Sequence, residues 1–120
     1  MAAHTVYLLV ELTIHEGQTG AFNSIAQEMI TGTQTEPGAL AYEWYLSRDG
    51  KRCRLLETYR DANALLAHFK GPVVQQLVPK LAAHVTIDRF EVYGDPGAEA
   101  AAMLAGFGTE VFEHRYGLER

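Results

Sequence analysis

Between Thr5 and Ile14 apolar residues fall at every second position: Val6, Leu8, Val10, Leu12 and Ile14 share one face, and Tyr7, Leu9, Glu11 and Thr13 the other. Side chains alternate across a strand, so this period of two predicts a long strand with one face committed to a core. Any fold for this chain must accommodate that strand.

The pattern then changes period. After the turn His15-Glu16-Gly17, Phe22, Ile25, Ala26, Met29 and Ile30 recur as one face of a helix, which ends before Glu36-Pro37-Gly38. From Leu40 to Ser47, Tyr42, Trp44 and Leu46 alternate with Ala41, Glu43 and Tyr45 as a second strand. Asp49-Gly50 is a hairpin signal, and Lys51 to Arg60 returns with Cys53, Leu55, Glu57 and Tyr59 on one side. Asp61 can N-cap a helix over Ala62 to Lys70. Gly71-Pro72 breaks it, and a further helix with Val74, Leu77, Val78 and Leu81 should be kinked or divided at Pro79. His84 to Tyr93 is a fourth strand, closed by Gly94-Asp95-Pro96-Gly97. A short Ala-rich helix, Ala98 to Ala105, and a tail with strand-like aromatic content follow.

The order strand, helix, strand, strand, helix, strand is the split βαβ, or ferredoxin-like, arrangement: an α+β fold with one antiparallel sheet and helices on one face. Residues 1–94 hold this pattern, and residues 95–120 form a C-terminal extension of the same domain. The second sheet face carries too much large apolar surface to stay in water, which predicts an isologous homodimer with two sheets face to face.

Composition narrows the function. Lys plus Arg number 10 against 15 Asp plus Glu, without a basic run, so nucleic acid is not an expected partner. The cluster Lys51, Arg52 and Arg54 sits beside the hairpin turn as solvated charge. The apolar run Val6 to Val10 is too short to span a bilayer and has no basic flank, so no membrane segment or signal peptide is expected. The single cysteine, Cys53, excludes an internal disulfide and fits a cytoplasmic protein.

Familiar catalytic motifs are missing. Gly106-Phe107-Gly108 lacks the third glycine and the parallel βαβ setting of a dinucleotide loop, and neither Ser24 nor Ser47 lies in a nucleophile elbow. His4, His15, His68, His84 and His114 have no metal-ligand spacing, so no metal site is expected. Cys53 reads as a buried structural residue, since its neighbours Arg52 and Arg54 point to the opposite face. What remains is a concentration of Tyr42, Trp44, Tyr45, Glu57, Tyr59 and His68, which could line a pocket for a flat aromatic compound or serve as core and dimer contact. His68 can be a satisfied core histidine or a pocket base. Glu57, between Leu55 and Tyr59, must reach solvent, find a partner or shift its pKa, which makes it a candidate base or the orienter of a histidine.

Three segments carry a resemblance: Glu36-Pro37-Gly38-Ala39-Leu40-Ala41-Tyr42-Glu43-Trp44-Tyr45, Leu56-Glu57-Thr58-Tyr59-Arg60-Asp61 and Ala64-Leu65-Leu66-Ala67-His68. In this order and spacing, across Thr5 to Tyr93, the chain resembles the antibiotic biosynthesis monooxygenase (ABM) domain family of the dimeric α/β barrel superfamily. The resemblance implies a dimeric barrel that oxidises a small phenolic, quinol or polyketide-like aromatic molecule with O2, without metal, flavin or other cofactor. On that reading Glu57 and His68 assist deprotonation, Trp44, Tyr45 and Phe69 pack the rings, and Tyr59 donates a hydrogen bond. Haem-degrading relatives are a poorer match, because Val10, His68 and Val78 stand where they carry Asn, Trp and His. Val73 and Val74 also stand where the family often has a second histidine. A non-oxidative isomerase or cyclase of the same fold, and a non-catalytic ligand-binding dimer, are the alternatives.

Overall fold

A computed structural model describes residues 4–120 as four strands of 8 or 9 residues with a short fifth, four α-helices and one π-helical turn. The elements are β1 (Val6–Ile14), α1 (Thr19–Thr33), β2 (Ala39–Leu46), β3 (Arg52–Tyr59), α2 (Ala62–Lys70), a π-helical turn (Val73–Leu77), α3 (Val78–Ala82), β4 (Val85–Tyr93), α4 (Ala98–Ala105) and β5 (Glu110–Phe112). Their order in the sheet is β2-β3-β1-β4-β5. This is the ferredoxin-like α+β fold expected from the element order, with one correction. β5 pairs with β4 in parallel, so the sheet is mixed rather than wholly antiparallel. The tail reaches the sheet edge after crossing over through α4, and a crossover connection returns a strand in the same direction as its neighbour.

The alternation of β1 decides what the helices cover. Val6, Leu8, Val10, Leu12 and Ile14 are all buried, and opposite them on β3 lie Tyr59, Glu57, Leu55 and Cys53. Burying each large apolar side chain contributes roughly 1.5–3 kcal/mol, which pins the register, since a slip of one residue would reverse every face. α1 packs Phe22, Ile25, Ala26 and Met29 onto this surface. α2 adds Leu65 and Phe69, and α4 adds Ala100 and Leu104. Lys70 and Glu99 tie α2 to α4 through a surface ion pair of 2.6 Å.

Two local features depart from regular elements. Asp88 is an extra residue where β4 meets β1: Glu11 pairs with Arg89 and Leu12 with Ile87. This bulge keeps Ile87 and Phe90 on the helix side, and the Asp88 carboxylate accepts a hydrogen bond from Thr13 Oγ1 at 2.6 Å. The expected division near Pro79 takes the form of a π-helical turn, in which the Val78 N–H reaches back five residues to the Val73 carbonyl. Proline cannot donate to the carbonyl four residues earlier, and its ring crowds that carbonyl; the wider turn ends just where Pro79 enters the first turn of α3.

The other sheet face is bare in the single chain. Tyr7, Tyr45 and Leu56 are 43%, 55% and 42% exposed. Among the described residues no helix is long and apolar enough to cross a membrane.

Candidate functional site

Glu57 occupies the middle of β3, facing the helices between Leu8 on β1 and Tyr42 on β2. It is 5% exposed. A carboxyl group in such a place needs partners, and two residues supply them. The Tyr59 hydroxyl, from the same face of β3, donates a short hydrogen bond to Glu57 Oε1. His68, in the last turn of α2, brings Nε2 to 3.8 Å from the same oxygen.

The other ring nitrogen of His68 is held by Glu36. Nδ1 lies 2.8 Å from Glu36 Oε1, in the loop joining α1 to β2. An acceptor there favours the proton on Nδ1 and leaves Nε2 facing Glu57. The loop can press this closely because residue 38 is glycine: a Cβ there would sit 2.4 Å from the Ala64 Cβ on α2. The Asp61 carboxylate fixes the start of α2 by accepting from the Ala64 N–H at 2.8 Å, the expected N-cap.

Burial pushes the Glu57 pKa above the usual carboxylate range; the charge of His68 and the Tyr59 hydrogen bond oppose the shift without cancelling it. Burial, then the neighbouring Glu57, raises the phenol pKa values of Tyr42 and Tyr59 well above normal. Both therefore remain neutral phenols. Burial likewise pushes the Cys53 thiol up to about 11, so it is an inert core residue as its strand position suggested.

Glu57, Tyr59 and His68 are buried, and Glu36, with 19% of its side chain exposed, is the most exposed member of the cluster. A cleft of about 540 Å³ runs between α1 and β2, with Phe22, Ala26, Thr33, Tyr42, Glu43 and Trp44 among its walls. Tyr42 stands between cleft and cluster, its ring meeting Trp44 at 5.8 Å and His68 at 5.7 Å, both edge-on. Two buried polar atoms of the wall, Trp44 Nε1 and Thr33 Oγ1, have no hydrogen-bond partner among the described residues. The Thr33 hydroxyl is near enough to Tyr42 to act on its pKa, but the pair lacks hydrogen-bond geometry. An unsatisfied buried polar atom costs roughly 1–3 kcal/mol.

The residues expected to form one pocket are thus distributed. Glu57, Tyr59 and His68 converge in the interior, and Trp44 lies beyond Tyr42 on the cleft. Phe69 touches the His68 ring edge-on at 5.8 Å but lines a second, apolar cavity of about 430 Å³ with Val78, Met103 and Phe107. Tyr45 is not brought to the site: it pairs with Arg54 on the bare face, because residues 44 and 45 of one strand point in opposite directions. Glu36 and Thr33 were missed as site residues. Glu36 had only its place before Pro37-Gly38 as a signal, and Thr33 none. Among the described residues no group of three or more His, Cys, Asp or Glu side chains is arranged to hold a metal ion.

Fold and cluster together define the class: a ferredoxin-like α+β domain with a carboxylate–histidine–carboxylate chain running from the α1–β2 loop into the interior. The family model described as antibiotic biosynthesis monooxygenase matches residues 5–80, and the chain belongs to that family. No curated protein matches the chain. Among solved structures, MupZ from Pseudomonas fluorescens is similar, with a TM-score of 0.82 and 26% identity over 98% of this chain and 95% of that one. That coverage takes in the extension beyond the family match. A conserved protein from Methanosarcina mazei Go1 has a TM-score of 0.69 and 16% identity, covering 78% of this chain and 95% of its own. SnoaB, a cofactor-independent oxygenase from Streptomyces nogalater, has a TM-score of 0.68 and 18% identity, covering 80% and 97%. At these last two identities the likeness establishes the fold.

Proposed function

We propose that this chain is a cofactor-independent monooxygenase that oxidises a small phenolic, quinol or polyketide-like aromatic molecule with O2. The observation that carries the reading is the chain Glu36–His68–Glu57–Tyr59, whose last three members are buried and whose His68 meets the ring of Tyr42 at the wall of the α1–β2 cleft. Family membership supports it, as does the likeness to SnoaB, a cofactor-independent oxygenase of the same fold. His68 Nε2, oriented by Glu36 at Nδ1, is the base that takes the substrate proton once Tyr42 turns aside. The resulting carbanion or phenolate reacts with O2 to a hydroperoxide. His68 hands that proton to the peroxide and removes the second C–H proton as the O–O bond breaks. Glu57, whose protonated form burial favours, protonates the departing hydroxide and recovers its proton from His68. The balance for an activated methylene is one methylene and one O2 consumed, one carbonyl and one water formed, so the substrate itself supplies the electrons. Residues 1–94 would carry this chemistry, with residues 95–120 an extension of the same domain; the first three lie outside the described residues. The reading takes the protein to be a cytoplasmic homodimer, supported by the lone buried Cys53 and the bare apolar sheet face.

Oxygen uptake by metal-stripped protein, measured with a panel of hydroquinones and anthrones, tests this. Uptake should exceed the uncatalysed rate and fall about 10²–10⁴-fold in Glu57→Gln and His68→Gln. Uptake no faster than without protein, or unchanged in both variants, would count against it. Turnover persisting under strict nitrogen would instead indicate the isomerase or cyclase alternative.

A further inference from the structure

We infer that the second cavity, walled in part by the C-terminal extension, is a binding site for an unbranched alkyl chain, the tail of an acyl compound or alcohol whose polar head stays in water. The site is separate from the α1–β2 cleft, and it does not depend on the oxidation proposed above.

The cavity, of about 430 Å³, lies where the two irregular features of the fold meet. The π-helical turn supplies Val74 and Gln75, and Ile87 stands beside the bulge at Asp88. Such π-turns and bulges interrupt regular hydrogen bonding and recur where a fold is shaped around a site. Met103 and Phe107 come from the extension, and with Ile87 they lie beyond residue 80, where the family match ends. Phe69 and Val74 are buried, whereas Val78, Ile87, Met103 and Phe107 remain partly exposed, so apolar wall is left facing water.

The chemistry of the wall selects the occupant. No charged side chain lines the cavity, so a carboxylate or phosphate inside it would lose its hydration and meet no counter-charge. The one polar side chain of the lining, Gln75, is exposed, and its amide nitrogen donates to the Phe69 carbonyl at 2.7 Å. What fits is hydrocarbon. The aromatic walls favour a chain over a flat ring, because Phe107 already meets Phe69 at 6.3 Å and Phe90 at 5.7 Å, and the remaining apolar walls are aliphatic. Met103, unbranched and flexible, can mould itself to a bent chain.

A chain-length series tests this without turnover. Calorimetric titration with 1-alkanols and alkanoates of four to ten carbons gives affinities, and carbon-13-labelled methionine methyls give the place of binding, since Met103 lines the cavity and Met29 lies in the core. Affinity should rise about three- to fourfold per added methylene and level off within the series as the cavity fills. The Met103 methyl should move and the Met29 methyl should not. Alkanols and alkanoates of equal length should bind alike, and 2-naphthol, with the ten carbons of decanol closed into rings, should bind there more weakly. Ala82 is an exposed lining residue, so Ala82→Phe narrows the cavity without touching the core, and Met103→Glu puts a charge in its wall. Both should abolish the length dependence with thermal melts unchanged. No binding at any length, affinity set by the head group rather than by length, tighter binding of 2-naphthol at Met103, or a length dependence that survives both substitutions would overturn the inference. Oxygen uptake is read separately, so either result can fail while the other stands.

Discussion

Glu57 is a carboxyl group held where water does not reach it, and that has a measurable consequence. Its folded pKa lies above its unfolded value, so between the two the native state binds more protons than the unfolded chain. Stability contributed by the neutral form is present below the usual glutamate pKa of about 4.3 and is lost as pH rises through the raised value. In thermal melts across a pH series, Glu57→Gln should therefore flatten this loss and raise the melting temperature relative to wild type at the alkaline end. A wild-type curve parallel to that of the variant would contradict the assignment, with Glu36, His68, Tyr42 and Tyr59 the other titratable groups of the cluster. At this scale the sequence was partly legible. Glu57 stood out as a carboxylate within an apolar strand face, and His68 as a histidine within an apolar helix. The partner of His68 did not, because Glu36 lies 32 residues earlier and meets it only through the packing of a loop.

Elements were more readable than contacts. The periods of β1, α1 and β3 and the Asp61 cap all predict what is found, since each depends on neighbours a few residues away. The β4 bulge and the π-helical turn did not show, because both are settled by what lies across the sheet or under the helix. Gly38 joins the two levels: it reads as half of a Pro-Gly turn, yet its lack of a Cβ is what lets that turn lie against α2. Gly38→Ala should cost about 1–3 kcal/mol in urea unfolding, the range for overpacking a close contact. Adding Ala64→Gly should recover most of it. A fully additive double variant would mean that the two positions do not meet.

For the whole molecule, the decisive surface is the sheet face that the helices leave bare. Its ion pairs, Glu11–Arg54 at 3.5 Å and Arg89–Glu91 at 3.5 Å, balance their own charge, so a second copy can approach without like-charge repulsion. A stable interface needs roughly 1,200–2,000 Å² of buried surface, and Tyr7, Tyr45 and Leu56 supply its apolar centre. Light scattering after gel filtration should give the mass of a dimer for wild type and of a monomer for Tyr45→Asp/Leu56→Asp. A monomeric wild type would overturn the homodimer. Tyr45, expected in the pocket, is thereby moved to this face by the alternation of its own strand. The sequence by itself determined the order of elements, the face each strand turns to the core and the residues too polar for where they sit, because period and turn chemistry are local. Only the tertiary structure decided that Glu36 completes the histidine pair, that Tyr42 stands between it and the cleft, and that the tail adds a parallel strand. Those depend on distances between segments far apart in the chain, and no local pattern encodes such distances.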